Sequence, residues 1–436
     1  MKNLREFGID VPEILLPKNI DVSSWSVIAC DQYTQDEEYW KSVSEAVGSK
    51  PSTLNMILPE VYLSSPDCDK RIENIRSNMK AYLSSDVFSK EQKELVYVER
   101  TTGYGRVRKG LVVAIDLETY EWKPMSKALI RATEATIVER IPPRKKIRKN
   151  APVESPHIML LVNDSEKCLV EKTGSLVKQK KPLYDGDLML KSGHVTGWAV
   201  SEEEELNSVY EALNSIREKN TDKDGNVFMF AVGDGNHSLA TAKAVWDEYK
   251  AESGLEDSPV RYALVEIVNI YDTGLTFEPI HRVLFNVDVN DLAESVKNEL
   301  GGTLRECSSP KELEDAVKKS NASFGFVSCD ENSKEKYLLL ETPVTELLVS
   351  RLQPALDAFI ASKKESGVAV DIDYIHGTEE VFRLGKKKSA VSILLPPIAK
   401  DSFFATIASR GPLPRKSFSM GEASEKRFYL ECRKLF

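Results

Sequence analysis

The spacing of apolar residues predicts strands and helices that follow one another along the chain. Residues 94–102 and 106–116 alternate between apolar and polar side chains, and Thr102-Gly103-Tyr104-Gly105 joins them, which indicates a β-hairpin. Residues 201–218 show the period of an amphipathic helix, with acidic residues in the first turn. After residue 260, apolar runs of strand length alternate again with helical patterns. The pattern predicts a mixed α/β or α+β fold.

Three further segments have shorter patterns. Residues 25–29 form an apolar run that we interpret as a strand, and residues 184–198 resemble a second hairpin. The basic stretch 140–149 contains Pro142 and Pro143, and adjacent prolines favour an ordered loop. A basic loop in an acidic chain is either a solvated face or the rim of an anion-binding site.

The length predicts more than one domain. At roughly 150 residues per domain, a chain of 436 residues forms two or three domains. The polar segment 251–258 is the candidate boundary. We therefore predict an N-terminal region, 1–252, with its core near 95–250, and a C-terminal α/β domain, 253–436.

Composition and charge disfavour several classes of protein. The net charge of −9 and the pI near 5.4 argue against a general nucleic-acid-binding surface. No apolar run approaches the length of a transmembrane helix, and the N-terminal residues lack an apolar signal segment. The six cysteines are far apart and form no CxxC pair, which fits a reducing compartment. We expect a cytoplasmic protein that binds a small molecule but neither nucleic acid nor membrane. The sequence leaves open whether it forms a homodimer.

The most informative segment is Gly233-Asp234-Gly235-Asn236-His237-Ser238. It lies between an apolar run, 227–232, and a helical pattern, 239–249, so it is predicted to connect a strand to a helix N-terminus. Glycines let the backbone approach a ligand closely, and the first N–H groups of a helix favour anions. Asp234 and His237 add a carboxylate and an imidazole, and Ser238 is a candidate helix cap. This corner suits phosphate binding and proton transfer, although a polar turn on the surface would have the same sequence features.

Other candidates follow strand-like runs. Glu134 lies at the end of such a run beside the basic stretch, and Asp31, Gln32 and Tyr33 follow another. His281 lies within a predicted strand and is either a buried structural histidine or a ligand-binding one. The five histidines show no HxH or HxxxH spacing, so the sequence predicts no metal site held by protein side chains alone.

Four motifs together resemble one known family. They are Ser26–Thr34 with Glu38-Tyr39-Trp40, Arg131–Thr136 running into Glu139–Arg144 and Ser155–Ile158, Gly233–Lys243, and Pro414–Met420. The family is the large group labelled as a domain of unknown function, number 1015, and the resemblance covers nearly the whole chain. The label itself implies no activity.

A more distant resemblance implies a mechanism. The segment Gly233–Ser238 is similar to the Asp-Gly-His-His-Arg loop of free-serine kinases in the ParB/sulfiredoxin superfamily, whose strand–loop–helix corner holds nucleotide phosphates. Relatives also carry His-Glu-x-Thr, which here reads Thr133-Glu134-Ala135-Thr136. Thr133, Asn236 and Ser238 depart from these patterns. The missing arginine at 238 removes a bidentate phosphate donor, which Arg140, Arg144, Lys145 or Lys243 could replace.

The resemblance implies a ParB/sulfiredoxin-like core and a kinase that transfers phosphate from ATP or ADP, with Mg²⁺, to the hydroxyl of a free amino acid such as L-serine. Its implied catalytic residues are Asp234, Glu134 and His237. The implied nucleotide-binding residues are Gly233, Gly235, Asn236, Ser238, Thr136, Arg140, Arg144 and Lys243. The candidate substrate-binding residues are Asp31, Gln32, Tyr33 and His281. The alternatives are a regulatory protein that binds a nucleotide or metabolite without catalysis, and, less favoured, a sulfiredoxin-like redox protein that uses Cys30.

Overall fold

The computed structural model describes residues 3–19, 21–330, 332 and 334–436. It forms two compact units. The first contains Met1–Leu275 and Gly421–Phe436, and the second contains Thr276–Met420. The predicted boundary near residue 252 differs from this division, because the strand that follows it still pairs within the sheet of the first unit.

The first unit combines helices with a large mixed sheet. Its helices are α1 (Val22–Trp25), α2 (Glu37–Val47), α3 (Cys68–Ser84), α4 (Ile141–Arg148), α5 (Val170–Val177), α6 (Glu203–Lys219) and α7 (Asn236–Ser253). Its strands are β1 (Ile9–Asp10), β2 (Glu13–Ile14), β3 (Gln92–Lys93), β4 (Leu95–Thr102), β5 (Val107–Asp116), β6 (Tyr120–Glu121), β7 (Ile130–Arg131), β8 (Val153–Glu154), β9 (Met159–Val162), β10 (Tyr184–Asp187), β11 (Gly193–Val200), β12 (Phe230–Asp234) and β13 (Tyr262–Asn269).

The sheet has the order β10-β11-β4-β5-β13-β9-β12-β7-β6, with β1 paired to β5. The pairs β13–β9, β12–β7 and β6–β7 are parallel, and the other pairs along the path are antiparallel. Both predicted hairpins, β4–β5 and β10–β11, are confirmed. Alternating residues of β5 face two different cores: Leu111 and Val113 belong to one apolar cluster, and Val112 belongs to the other.

The second unit is built on an antiparallel sheet. Its strands are β14 (Phe277–Pro279), β15 (His281–Phe285), β16 (Thr303–Cys307), β17 (Ser323–Cys329), β18 (Glu335–Glu341), β19 (Asp371–Ile375), β20 (Ala390–Leu394) and β21 (Phe418–Met420), and its helices are α8 (Val289–Leu300), α9 (Pro310–Lys318), α10 (Val349–Glu365), α11 (Thr378–Gly385) and α12 (Lys400–Arg410). The sheet order is β16-β18-β17-β20-β15-β19, and β14 pairs separately with β21.

The last sixteen residues return to the first unit, where β22 (Arg433–Lys434) pairs with β8. The mixed α/β class predicted from the sequence is confirmed. None of the helices in the described part of the chain combines the length and the apolar character needed to cross a membrane.

Two local predictions were wrong. Residues 22–25 form the short helix α1, and of the predicted strand 25–29 only a single bridge remains, between Ile28 and Phe428. The basic stretch 140–149 is mostly the helix α4 and not a loop. Pro142 and Pro143 lie in its first turn, where a helix does not need their missing N–H groups.

Buried ion pairs attach the C-terminal segment to the sheet. The Arg427 guanidinium bonds both Glu266 on β13 and Glu431, and all three side chains are almost completely buried. Its Nε also donates to the carbonyl of Pro156 at 3.0 Å. These guanidinium contacts hold the pKa of Glu266 below its usual range, although burial opposes that shift. The Glu266–Arg427 pair is therefore ionised, and breaking it would leave a buried charge without one of its partners.

We predict that Glu266→Gln lowers the free energy of unfolding by about 3 kcal/mol, because it removes one of the two carboxylates that pair with the buried Arg427. Since the folded-state pKa of Glu266 is lowered, its contribution to stability is present above its unfolded-state pKa and is lost as the pH falls through the folded-state value. The variant should therefore lose less stability on acidification than the wild type. Urea unfolding followed across this pH range measures both effects.

The matched control is Asp86→Asn. Asp86 forms an ion pair with Lys18 but is highly exposed, so this change should alter stability by less than about 0.5 kcal/mol. Equal losses in the two variants would contradict the role given to the buried network.

Candidate functional site

The predicted strand–helix corner is present. Strand β12 ends at Asp234, Gly235 adopts a left-handed conformation with φ of 83°, and α7 begins at Asn236. A side chain at Gly235 would place its Cβ 3.0 Å from Cγ1 of Ile158. The N-cap residue of α7 is Gly235, so the proposed capping role of Ser238 was wrong; Ser238 lies inside the first turn. The corner thus presents a helix N-terminus whose N-cap residue has no side chain, and such an N-terminus favours anions.

Hydrogen bonds hold the segment 133–137 against this corner. The Thr133 N–H donates to Oδ1 of Asn236 at 3.1 Å, and the Asn236 amide donates to Oγ1 of Thr133 at 3.2 Å. The Thr133 hydroxyl donates to the carbonyl of Val232 at 2.5 Å. Glu134, half-buried, therefore lies on a segment bonded to the first turn of α7. The structure brings together the two segments that the sequence resemblance pairs.

A hydrogen bond selects one tautomer of the neutral His237 ring. Its Nε2 accepts the N–H of Ile137 at 3.2 Å, so the neutral ring carries its proton on Nδ1. The same contact fixes the C-terminal end of the segment 133–137. The catalytic role of His237 stays a prediction.

The positive charge at the corner comes from a residue that the sequence analysis missed. Lys426 Nζ lies 3.2 Å from Oδ2 of Asp234, and the two side chains are only 12% and 22% exposed. Lys426 belongs to the C-terminal segment, and no motif or spacing links it to Asp234 in the sequence. Only the fold shows this pair.

Three of the four basic residues expected to supply that charge form ion pairs with other carboxylates. Arg144 Nη2 lies 2.5 Å from Oε1 of Glu60, Lys145 pairs with Glu248, and Lys243 pairs with Asp247 along α7. Arg144 Nη1 donates to the backbone carbonyl of Arg140 at 2.9 Å, and Arg140 itself is exposed. Helix α4 is therefore a mostly charge-neutralised face, which favours the solvated-face interpretation of the basic stretch.

A second arrangement of polar groups lines a cavity of about 140 Å³ in the first unit. Ser238 Oγ lies 2.8 Å from Nε2 of His157, and Nδ1 of His157 lies 2.9 Å from the hydroxyl of Tyr429. The Cys30 N–H donates to the Tyr429 hydroxyl at 3.2 Å. We call this hydrogen-bonded chain the relay. Sequence analysis missed Tyr429, and His157 entered it only within a family motif.

Burial controls the ionisation of the groups around this cavity. It raises the pKa of the Cys30 thiol and of the Tyr429 hydroxyl, so both stay protonated near neutral pH. Burial also raises the pKa of Glu60, against the opposing effect of Arg144. A thiol held protonated is a poor nucleophile, which argues against the redox role considered for Cys30.

The remaining candidates lie in different places. Asp31 follows Cys30, and its Oδ1 accepts from Gln32 at 3.0 Å. Tyr33 stacks on Tyr39 with ring centroids 3.7 Å apart. His281 belongs to the second unit, where it is buried and its Nδ1 accepts the N–H of Leu395 at 3.1 Å. Burial lowers the pKa of His281 to about 4, so the ring is neutral. The substrate-binding roles of these four residues remain predictions.

Among the described residues, no three or more His, Cys, Asp and Glu side chains lie together in a way that could hold a metal ion. A divalent cation at the corner would therefore depend on its ligand's own oxygens and on one or two carboxylates, such as Asp234 and Glu134. This is how Mg²⁺ usually accompanies a nucleotide.

The family model described as "Protein of unknown function (DUF1015)" matches residues 14–359. The chain belongs to this family. No curated protein matches it.

Solved structures that are similar to the chain include three different proteins. A conserved hypothetical protein from Pyrococcus furiosus is 12% identical, with a TM-score of 0.36, over 74% of this chain and 97% of its own. A free serine kinase in complex with AMP is 11% identical, with a TM-score of 0.37, over 74% and 92%. SbnI with a C-terminal truncation, from Staphylococcus aureus, is 11% identical, with a TM-score of 0.31, over 69% and 82%.

Gly235→Ala tests the geometry of the corner. We predict that it lowers the free energy of unfolding more than Gly225→Ala does. Both glycines have φ near +80°, but only an added Cβ at residue 235 meets another residue, Ile158; at residue 225 nothing lies within 4 Å. The shared backbone strain costs about 1 kcal/mol, and the contact should add about 1 kcal/mol or more at residue 235. Chemical denaturation of both variants measures the difference, and equal losses would contradict the tight approach to Ile158.

Proposed function

We propose that this protein is a small-molecule kinase. The phosphate donor is ATP or ADP with Mg²⁺, and the acceptor is the hydroxyl of a free amino acid such as L-serine. The observation that carries the proposal is the junction at α7: the segment with Glu134 is bonded to the first turn, and Asp234 and Lys426 face each other beside it. Phosphoryl transfer needs mainly positioning and electrostatic stabilisation, and this junction supplies both.

Three residues depart from the kinase pattern, and in each case another residue of this chain compensates for the change. Thr133 and Asn236 both differ from the histidines of the relatives, and here they bond to each other. The link between the two segments is therefore kept with different side chains. Ser238 replaces an arginine, and the ammonium of Lys426 supplies a cation at the same corner.

The proposed reaction assigns each group a part. The acceptor hydroxyl oxygen forms a bond to the terminal phosphorus, and the bond from that phosphorus to the leaving nucleotide oxygen breaks. Asp234 or Glu134 accepts the hydroxyl proton. The N–H groups at the start of α7 and the Lys426 ammonium bind the phosphate oxygens, which draws Lys426 away from Asp234 and leaves that carboxylate as a base. The core of the first unit would then be ParB/sulfiredoxin-like, as the resemblance implies.

Asp234→Asn separates catalysis from binding. We predict a 10²- to 10⁴-fold lower turnover, because the amide cannot accept the hydroxyl proton, while nucleotide binding is kept. ³¹P NMR of reactions with ATP or ADP, Mg²⁺ and L-serine measures the phosphorylated product, and calorimetry measures binding. Asp247→Asn is the control, since Asp247 lies on α7, the helix that follows Asp234, is half exposed and pairs with Lys243 along that helix.

Two results would overturn the kinase proposal: no nucleotide binding at millimolar concentration, or hydrolysis without a phosphorylated acceptor. If the wild type binds a nucleotide but shows no turnover, and Asp234→Asn only weakens that binding, the non-catalytic regulator is the better description.

Lys426→Met tests the cation at the corner. We predict about tenfold weaker binding of ATP or ADP, because a charge-assisted hydrogen bond to phosphate is lost. The thermal shift on adding nucleotide should shrink accordingly. Lys434→Met is the control: it lies in the same C-terminal segment but forms an exposed pair with Glu91. Unchanged affinity in Lys426→Met would remove Lys426 from the site.

A further inference from the structure

The cavity beside the corner has apolar walls and one polar edge. Its apolar walls include Met56, Leu58, Met79, Ile147, Val153 and Leu264, and the relay lies on its polar edge through Cys30, His157, Ser238 and Tyr429. An engineered apolar cavity of about 150 Å³ binds benzene, so a cavity of about 140 Å³ has room for a small ring.

The charged groups on the wall are already ion-paired, and the Arg148 nitrogens without a hydrogen-bond partner, Nε and Nη2, are buried. Arg144 uses Nε and Nη2 on Glu60 and uses Nη1 on the carbonyl of Arg140. Arg148 Nη1 lies 2.6 Å from Oε2 of Glu154, whose other oxygen is bonded by Arg433. A charged ligand would have to compete with these pairs. The cavity therefore favours an uncharged ligand.

The relay has one proton more than it has hydrogen bonds. Four bonds join its members, including one between the Cys30 thiol and the Tyr429 hydroxyl, and five protons are available: the Cys30 N–H and S–H, the Tyr429 and Ser238 hydroxyl protons, and the single ring proton of His157 in its neutral form. If His157 is protonated on Nε2, Tyr429 donates to Nδ1 and the Ser238 hydroxyl proton is left over. If it is protonated on Nδ1, the Tyr429 hydroxyl donates to the Cys30 sulfur, and the thiol proton is left over. In both forms one donor stays available at the edge of the cavity, the Ser238 hydroxyl in the first and the weaker Cys30 thiol in the second.

From these observations we propose that the cavity is a binding site for a small, uncharged, ring-sized molecule with one hydrogen-bond acceptor, such as a ketone. The apolar walls surround the ring, and the remaining donor of the relay bonds the acceptor. Because Ser238 lies in the first turn of α7, this site is adjacent to the corner. The proposal stands whether or not the corner transfers phosphate.

The same geometry disfavours Ser238 as a nucleophile activated by His157. The Cys30 N–H already occupies one lone pair of the Tyr429 oxygen, so that oxygen is a weak partner for a protonated Nδ1. A binding role requires neither tautomer in particular. A nucleophilic role requires the Nδ1–H form and an acidic orienting group.

The test compares two probes of nearly the same shape, acetophenone and ethylbenzene, by calorimetry on the full chain. In an apolar cavity without a donor, acetophenone would bind about tenfold or more weakly than ethylbenzene, because its carbonyl loses hydrogen bonds to water. We expect acetophenone to bind at least as tightly as ethylbenzene. A preference for ethylbenzene of tenfold or more, or no binding of either probe at millimolar concentration, would overturn the proposal.

Two variants locate the binding. Ile147→Trp and Ala151→Leu each add volume to the cavity wall and should weaken acetophenone binding by at least tenfold. The control Val138→Trp adds the same ring at an exposed apolar position and should leave the affinity within twofold. Melting temperatures identify a variant that does not fold, and the other variant then decides the result. Undiminished binding in a folded cavity variant would place the probe elsewhere and refute the site.

Nucleotide affinity is measured on the same samples. If the wild type binds acetophenone but neither ATP nor ADP, the kinase proposal alone is refuted. The opposite result would refute the cavity proposal alone.

Discussion

The candidate site depends on one buried guanidinium. Arg427 is surrounded by Glu266 from the sheet, by Glu431 from its own segment and by the carbonyl of Pro156, next to His157. A charge buried this deeply keeps its pairing, because separating the partners would cost several kcal/mol of desolvation. The pairing therefore fixes the backbone on both sides of Arg427. One neighbour, Lys426, contacts Asp234, and Tyr429 two residues later contacts His157.

Neighbouring contacts reinforce this attachment. Arg100 donates to the carbonyls of Ser424 and Lys426, and Arg108 donates to the carbonyl of Glu425. Both arginines come from the central hairpin of the sheet. The sheet thus holds the C-terminal segment through side-chain donors and main-chain acceptors, and β22 and the bridges Leu15–Cys432 and Ile28–Phe428 add main-chain pairing. The arrangement makes the last sixteen residues part of the first unit although they follow the whole second unit in sequence.

The first turn of α7 has two sides with different chemistry. The corner with Asp234 and Lys426 carries separated charges and helix N–H groups, which suit an anion. The side with Ser238 faces a cavity with neutral hydroxyl donors and apolar walls. One helix turn therefore lies between a charged environment and an uncharged one, and the two proposals assign a different physical interaction to each.

The sequence by itself determined the local elements and the corner. Alternating apolar residues gave the hairpins 95–116 and 184–200, because side chains in a strand alternate between two faces, and the glycine-containing turn before α7 marked a strand–helix junction. Local pattern could also be misread: Pro142 and Pro143 suggested a loop, although the first turn of a helix accepts proline.

Only the tertiary structure decided which distant residues complete the site. Lys426 and Tyr429 lie some 190 positions after α7 begins, and a single lysine or tyrosine has no spacing that marks its partner. The same is true of Arg144 and Lys243, whose charges looked available in the sequence but are paired with Glu60 and Asp247. Charge pairing depends on distances in space, and those distances are set by the packing of segments that are far apart in the chain.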